Sequence, residues 1–473
     1  MVTNYGLEDQ TCGSDCNLPC SSTTSDKEIK QKLNVDGIVL SKNNFNYYNK
    51  NIGEINEFDD EINNIPKIKD TNKFEDKLNL VLLKINICKK VCNFYVLNAQ
   101  LATKEAKRLT LIEIFDFLFS ENNNNIWNSE KIYFEIFELF NKNVLVRDLP
   151  SNEEELNFDN NIFLINNYEE EYEDSVNCPD PAWEHLELIY TIFIKFIEST
   201  NFRITLGKKF VDEGLVEKIF SLFYSEDCRE REQLAKILKR IYSKFISLRI
   251  FIKKQINYLI FNFIYEDNLI IKQKFIFIKE LLEVFNSIID VFKVPLKMEQ
   301  KELFIKILLP LHKPINYFNL YSEKLTELMV RYIEMDQSLI HKLILIILKY
   351  WPNENSNKQI KFLDEIKIIL SKTELEQFQK IIPKLFSQIS KCIESNHYKI
   401  STNALQLWKE EGKIKYLFKE CNNKITPIIF SSLYFCSKNH WNNAVKNLSE
   451  DVKNILAERD WKLWNKMIEI NLE

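Results

Sequence analysis

Three residues near the middle of the chain carry side chains suited to binding a peptide. Lys239 precedes Tyr242 by three positions and Arg249 follows it by seven, so the spacing predicts that all three share one helix face. Arg240 lies at the edge of that face. An aromatic ring flanked by basic groups can hold an aliphatic side chain and a nearby carboxylate of a bound segment.

A second apolar face follows further along the chain. Val284 and Ile288 are four residues apart beside Glu283, and Val284 follows Tyr242 by 42 positions. Stacking of the two faces would create apolar pockets flanked by basic side chains, suited to a short peptide with spaced aliphatic anchors and a trailing carboxylate. A plainer interpretation makes Val284 and Ile288 core residues and pairs Arg249 with a local Glu.

The remaining residues contain no constellation suited to catalysis. The five His are widely separated, and none are paired at the spacing of metal ligands. The chain has only seven Gly, four of them before residue 60, whereas phosphate-binding loops and nucleophile elbows need Gly for tight turns. We therefore expect a chain that is not an enzyme and uses no metal or other cofactor. His185 and His440 are expected to form hydrogen bonds between helices.

Amphipathic helices must position the candidate side chains. From about residue 76 apolar residues recur at i, i+3 and i+4, and short polar segments interrupt the pattern. The 42-residue spacing of the two faces matches the roughly 40–47 residues of HEAT or armadillo repeats. The sequence predicts an all-α superhelical solenoid of about eight or nine HEAT-like helical-hairpin repeats over residues 76–473.

Several Pro residues are expected near helix starts or ends, because Pro lacks the N–H that a helix interior needs. They are Pro150, Pro295, Pro310, Pro352, Pro383 and Pro427.

Two segments fall outside the helical pattern. Residues 1–75 are rich in Ser, Thr, Asn, Asp and Lys without a sustained period, which predicts a disordered N-terminal tail. Cys12, Cys16 and Cys20 stand four apart in this tail, which is one ligand short of a structural zinc site. Residues 151–180 contain ten acidic residues and no Lys or Arg, which predicts a solvated acidic loop.

Charge and hydropathy limit the partners and the location. A net charge of −5 and a pI near 5.8 give no indication of nucleic-acid binding. No segment reaches the roughly 18 uncharged apolar residues of a membrane span, and no secretory signal is visible at the N-terminus. We expect a location in the cytoplasm and/or nucleus, with the ten Cys reduced and mostly buried.

The middle of the chain resembles the signature of a known family. Residues 225–231 read SEDCRER, residues 240–245 read RIYSKF and residues 254–257 read KQIN. The B-prime regulatory subunits of protein phosphatase 2A read SEDPRERD, HRIYGKF and LRxxIRKQINN in the same order. Later matches include LLPLHK and LKYWP, so the resemblance covers most of the body and is weak in residues 1–75 and 151–177.

This resemblance implies a non-catalytic regulatory subunit that docks on the phosphatase 2A scaffold and catalytic subunits. It also implies selection of substrate or adaptor proteins through a Leu-x-x-Ile-x-Glu motif. The metallophosphatase motifs built on Gly-Asp and Gly-Asn-His-Glu are absent, so the chain is not itself the phosphatase. Carried over by motif, the groove residues are Lys239, Arg240, Tyr242, Arg249, Glu283, Val284, Ile288, Lys297 and Gln300.

The chain departs from the family pattern at this groove. Lys239 and Gln300 stand where the family typically has His, and Val284 replaces a larger Ile. An alternative function that shares the architecture is a HEAT-repeat scaffold or transport adaptor not tied to a phosphatase.

Overall fold

A computed structural model describes residues 65–71, 73–94, 100–120, 124–147, 180–265, 276–315 and 317–472. Within these ranges the structure has nineteen α-helices with short 3-10 and π-helical segments between them, and no strand. The prediction of an all-α helical-repeat solenoid is confirmed.

The helices are numbered in chain order. The first ten are α1 (Phe74–Cys88), α2 (Leu101–Phe119), α3 (Glu130–Phe140), α4 (Trp183–Glu198), α5 (Ile204–Gly207), α6 (Glu213–Leu222), α7 (Cys228–Lys244), α8 (Arg249–Tyr265), α9 (Ile278–Ile289) and α10 (Met298–Leu303). The others are α11 (Phe318–Met335), α12 (Leu339–Lys349), α13 (Ser356–Lys372), α14 (Leu375–Ile393), α15 (Tyr398–Gln406), α16 (Lys413–Glu420), α17 (Asn422–Asn439), α18 (Asn443–Arg459) and α19 (Trp461–Leu472).

The helices pack in two layers that run along the chain. One layer, here called the front layer, stacks α2, α4, α7, α9, α11, α13, α15 and α18 in that order. Behind it, α1 packs on α3, and α12, α14 and α17 pack on one another in turn. Each helical hairpin therefore contacts mainly the preceding and the following one, as expected of a solenoid.

The repeat period is visible in side-chain contacts between successive hairpins. Asn286 in α9 donates to Glu327 in α11, 41 residues further on. Lys409 donates to Asp451 across 42 residues, and the Cys436 thiol donates to the carbonyl of Ile393 across 43. A spacing of about 42 residues thus recurs along the solenoid and agrees with the sequence prediction.

Apolar stripes on the helices supply the core. In α9, Leu281, Val284, Phe285 and Ile288 are at most 1% exposed, and their spacing is that of one helix face. Full burial of such a side chain contributes about 1.5–3 kcal/mol. Because only the neighbouring hairpins can cover these stripes, each repeat depends on the next for its stability.

The expectation about Pro residues is wrong at two positions. Pro383 lies inside α14 and Pro427 inside α17, although Pro310 does begin a 3-10 turn at Leu309–His312. Interior Pro costs about 3 kcal/mol or more. Both helices continue because their buried apolar faces pack on each other, and tertiary packing overrides local propensity.

The charged signature around residue 228 turns out to fix the start of α7. Asp227 accepts a hydrogen bond from the Arg229 backbone N–H at 2.9 Å and so caps the helix. Arg231 donates to the carbonyls of Ser225 at 2.8 Å and Glu226 at 2.9 Å. The same guanidinium reaches Glu280 in α9 at 3.2 Å, and both side chains are 7% exposed. This buried ion pair joins two successive front-layer helices.

The neighbouring charges of the signature are also structural. Glu230 accepts a hydrogen bond from the Tyr190 hydroxyl at 2.7 Å and pairs with Arg147. The Arg229 guanidinium lies 4.5 Å from the centroid of the Trp183 ring. These contacts tie α7 to α4 and to the segment after α3, so the signature holds helices in position.

Some sequence predictions lie outside the described residues. Only 65–71 and 73–75 of the predicted tail are described, and of the acidic segment 151–180 only Asp180. Cys12, Cys16 and Cys20 are likewise outside. These predictions stay predictions. Of the described cysteines, Cys228 is partly exposed and the other five are buried, and none of the six forms a disulfide.

Replacement of Arg231 by Ala is expected to destabilise the solenoid by about 3 kcal/mol, because it leaves Glu280 buried without its partner. This destabilisation lies at the low end of the range for broken buried ion pairs. Burial already raises the pKa of Glu280, so its carboxylate can take up a proton when Arg231 is absent, which limits the loss of stability. Thermal unfolding followed by circular dichroism measures the loss. Lys306→Ala, which removes an exposed pair within one helical region, serves as the control, and equal effects of the two changes would contradict the assignment.

Candidate peptide-binding groove

The candidate site lies between two parallel helices of the front layer. Arg231 near the start of α7 bonds Glu280 near the start of α9. Further along both helices, Lys239 Nζ donates to Glu283 at 2.9 Å. The step from the first ion pair to the second leads toward the C-terminal end in both helices. Helices α7 and α9 therefore run parallel, and their C-terminal ends lie at one edge of the layer. The crease between their C-terminal halves is called the α7–α9 groove.

The prediction that Arg249 shares a helix face with Tyr242 is wrong. Helix α7 ends at Lys244, Phe245 leaves helical geometry at φ −105° and ψ 87°, and Arg249 begins α8 after a 3-10 turn at Ile246–Leu248. A helical period cannot be extended across such a corner.

Arg249 nevertheless reaches Tyr242, by folding back over the end of α7. Its guanidinium carbon lies 5.2 Å from the centroid of the Tyr242 ring. Its Nε donates to the Tyr242 carbonyl and its Nη2 to the Ser243 carbonyl, each at 2.9 Å. These carbonyls have no partner within the helix, and a cation there also opposes the negative end of the helix dipole. Arg249 therefore binds backbone carbonyls rather than the local Glu of the plainer interpretation.

Tyr242 is buried at the end of α7, beneath Arg249. Its side chain is 3% exposed. Burial raises the pKa of the Tyr242 phenol, and the charge of Arg249 acts in the opposite direction. The phenol is neutral at physiological pH, and Arg249 covers the face of its ring.

Val284 and Ile288 are fully buried, each with 0% of the side chain exposed. In this conformation they belong to the core, as the plainer interpretation proposed. The aliphatic surface that is exposed lies at the corners that follow α7 and α9. It consists of Ile246, Ile250, Val291, Val294 and Met298, which are between 47% and 77% exposed.

Helical periodicity in the sequence does not reveal this exposed aliphatic surface. Apolar residues at helix ends resemble the continuation of a buried stripe, and only the end of the helix turns them toward solvent. The sequence does contain an indication of this surface. Apolar residues continue past Phe245, but their spacing no longer matches the helical period of the apolar stripe on α7.

Lys297 and Gln300 lie at the second of these corners. Gln300 Oε1 accepts a hydrogen bond from the backbone N–H of Lys297 at 2.8 Å, which fixes the start of α10. The Lys297 side chain is exposed. Gln300 thus has a positioning role, and Lys297 presents its ammonium group near the edge at which α7 and α9 end.

The other basic residues of the candidate site are already paired. Lys239 donates to Glu283 across the groove, and Lys324 of α11 approaches the other Glu283 oxygen at 3.4 Å. Burial opposes the charge of Glu283, but the hydrogen bond and charge of Lys239 and those of Lys324 outweigh it, so the pKa of Glu283 is lowered. Arg240 points away from the groove to Glu198 of α4, at 2.6 Å.

The structure therefore brings together most, but not all, of the predicted residues. Lys239, Glu283, Val284 and Ile288 meet where α7 and α9 pack. Tyr242 and Arg249 form the corner at the end of α7.

His185 and His440 form hydrogen bonds between helical hairpins. His185 of α4 bonds the Lys104 carbonyl of α2 at 2.8 Å, and burial lowers its pKa to about 3. His440 bonds the Ser395 carbonyl at 3.3 Å, between the ends of α17 and α14. Both predicted inter-helix bonds are confirmed.

The part of the chain that the structure describes has neither a metal-ligand cluster nor a membrane-spanning helix. There, no group of three or more His, Cys, Asp or Glu side chains is arranged to hold a metal ion. No helix in the same ranges is long and apolar enough to cross a membrane.

Comparison with known proteins agrees with the sequence signature. Residues 65–472 match the family described as protein phosphatase 2A regulatory B subunit (B56 family). The chain is 38% identical over 400 residues to the Caenorhabditis elegans serine/threonine-protein phosphatase 2A regulatory subunit pptr-1, covering 85% of this chain and 69% of that protein.

Relatives in mammals and plants are similarly close. The mouse serine/threonine-protein phosphatase 2A 56 kDa regulatory subunit alpha isoform is 36% identical over 86% of this chain and 78% of its own length. The kappa isoform of the rice B′-type 57 kDa regulatory subunit is 36% identical over 81% and 72% respectively.

The chain belongs to the B56 family of protein phosphatase 2A regulatory B subunits. The resemblance to the B-prime family is thereby confirmed. The relatives are named as regulatory subunits of a phosphatase, which supports a regulatory role rather than a catalytic one.

The bridge across the groove gives a pH-dependent prediction. The folded-state pKa of Glu283 lies below its ordinary value of 4.5, so its pairing stabilises the fold above that value and is lost as the pH falls through the lowered pKa. Glu283→Gln should therefore reduce stability at pH 7 by less than about 1 kcal/mol, because the pair is partly exposed.

The difference between Glu283→Gln and the unchanged chain should shrink as the pH falls through the lowered pKa of Glu283. Urea denaturation midpoints at several pH values measure this. Glu302→Gln, in an exposed pair with Lys306, is the control for general charge effects. A difference that stays constant as the pH falls would contradict the assigned pairing.

Proposed function

We propose that this chain is a non-catalytic regulatory subunit of protein phosphatase 2A. It docks on the scaffold and catalytic subunits and selects substrate or adaptor proteins that carry a Leu-x-x-Ile-x-Glu-type motif. The family match over residues 65–472 supports the first statement. The Tyr242–Arg249 corner, at the end of a groove between parallel helices, is the observation that carries the second.

The groove offers each part of such a motif a complementary surface. The two aliphatic anchors would lie against the exposed aliphatic residues at the corners, and would contact Tyr242 and the apolar stripe of α9 only when the side chains that cover them move aside. The trailing Glu would reach the cationic edge formed by Arg249 and Lys297. Arg249 is held in place by two backbone carbonyls, so its position is fixed before a peptide binds.

The Lys239–Glu283 bridge adds a condition for binding. It crosses the groove next to Val284, which is fully buried in the free chain. An anchor side chain that reaches Val284 must therefore displace or pass beside this ion pair. We expect affinity in the micromolar range, because a short extended segment has few anchors and loses conformational entropy on binding. A phosphoserine in the motif would strengthen contact with Arg249, or with Arg240 if that side chain leaves Glu198.

The alternative, a HEAT-repeat scaffold or transport adaptor without a phosphatase, shares the same architecture. The regulatory names of the relatives favour the phosphatase. We also propose that the chain acts in the cytoplasm and/or nucleus.

Assembly with the phosphatase tests the first half of the proposal. We expect the full chain to co-elute in size-exclusion chromatography with purified phosphatase 2A scaffold and catalytic subunits as one complex. We expect the isolated chain to show no phosphatase turnover. Separate elution of this chain from a scaffold–catalytic complex that does form would favour the scaffold or adaptor alternative.

Calorimetric titration of the full chain with a Leu-x-x-Ile-x-Glu peptide tests the second half. Lys297→Glu should weaken binding about tenfold or more, because it reverses a charge at the edge that receives the peptide carboxylate. Lys297 is exposed, so its replacement leaves the fold intact.

Two controls accompany this titration. Lys293→Glu changes an exposed Lys four residues away and should leave affinity within about twofold. An Ile→Ala peptide should bind at least about tenfold more weakly, since it lacks one anchor. No binding at millimolar peptide, or equal loss in Lys293→Glu and Lys297→Glu, would contradict the proposed groove.

A further inference from the structure

The chain carries its own copy of the motif spacing. Residues 52–57 read Ile-Gly-Glu-Ile-Asn-Glu, which places aliphatic residues at the two anchor positions and Glu at the last. Nowhere else in the sequence is Leu, Ile, Val or Met followed three positions later by Ile or Val and two further on by Glu. The first anchor is Ile instead of Leu, so the copy is imperfect.

The charge of this segment complements the groove. Residues 51–66 contain five acidic residues and no Lys or Arg. They are Glu54, Glu57, Asp59, Asp60 and Glu61. The edge of the groove presents Arg249 and Lys297, both with cationic side chains at least partly exposed. Acidic residues within and after the aliphatic motif favour binding at such an edge.

The segment is also within reach of the groove of its own chain. The residues that the structure describes begin at Ile65. The backbone N–H of Ile68 donates a hydrogen bond to the carboxylate of Glu113, in the second half of α2. Helices α2, α4 and α7 are successive in the front layer, so at about 8–10 Å per helix pair the groove lies about 20–25 Å from α2. The eight residues from Glu57 to Ile65 can span up to about 26 Å.

We propose that residues 52–57 occupy the α7–α9 groove of the same chain as an internal competitor of substrate motifs. Ile52 and Ile55 take the two anchor positions, and Glu57 lies at Arg249 and Lys297. This inference rests on the proposed function, because it uses the same groove.

Tethering makes even a weak copy effective. A segment joined by a short linker has an effective concentration of about 1 mM. With an intrinsic dissociation constant of about 100 µM, it would fill the groove about nine-tenths of the time. An external peptide would then bind about tenfold more weakly than to the free groove. Only a partner whose motif has high affinity, or one that carries several motifs, would displace residues 52–57 from the groove.

The test compares full-length variants in binding a fluorescent Leu-x-x-Ile-x-Glu peptide by anisotropy. The double change Ile55→Ala and Glu57→Ala should tighten binding about tenfold, because it removes the competitor. The matched control, Glu28→Ala with Ile29→Ala, changes the same two residue types outside the acidic residues 51–66 and should stay within twofold of the unchanged chain. A synthetic peptide of residues 50–61 should bind the Ile55/Glu57 variant and displace the fluorescent peptide.

The outcomes separate this inference from the function on which it rests. Equal affinity of the unchanged chain and the Ile55/Glu57 variant overturns the inference and leaves the groove intact. Absence of peptide binding by both proteins overturns the groove and the inference with it. Inhibition that grows with protein concentration, with a dimer in size-exclusion chromatography, means that the segment binds a second copy and overturns the same-chain arrangement.

Discussion

The packing of each front-layer helix on the next is the constraint on which the rest of this molecule depends. Helix α9 presents a stripe that includes Val284 and Ile288, and only the neighbouring hairpins can cover it. The buried Arg231–Glu280 ion pair fixes the axial position of α7 relative to α9 near the N-terminal ends of both helices. Glu280 lies three residues before Glu283 on α9, so this pair helps to set the register in which the two helices meet along the groove.

Parallel stacking has an electrostatic consequence at the edge where the front-layer helices end. Each helix leaves its last carbonyls unpaired there, and the aligned helix dipoles make the edge attractive to cations. Lys244 binds the Glu198 and Ser199 carbonyls at the end of α4. Arg249 does the same at the end of α7, and Arg331 binds the Asn286 carbonyl near the end of α9. The cations that suit the groove to a carboxylate are thus held by the architecture.

The sequence predicted the fold better than the site, for a physical reason. Helical periodicity and the 42-residue spacing reflect which side chains are buried, and burial is the dominant favourable contribution to folding. The sequence pattern therefore predicts the solenoid directly. Arg249 was placed near Tyr242 by a continuous helix, although a corner at Phe245 brings them together. Periodicity also could not show that Val284 is fully covered while Ile246 is exposed, because both depend on where a helix ends. Pro383 is tolerated inside α14 because packing outweighs the lost hydrogen bond.

Hydrogen–deuterium exchange of the full chain, with and without a Leu-x-x-Ile-x-Glu peptide, tests the central claim most directly because it reports where the peptide binds. The account predicts slower exchange in the last turns of α7, in the corner at residues 245–250 and from the end of α9 to the start of α10. The same peptide with Ala at its second anchor should give little protection. Protection confined to other helices, such as α14 or α17, would contradict the assignment of the α7–α9 groove as the peptide site.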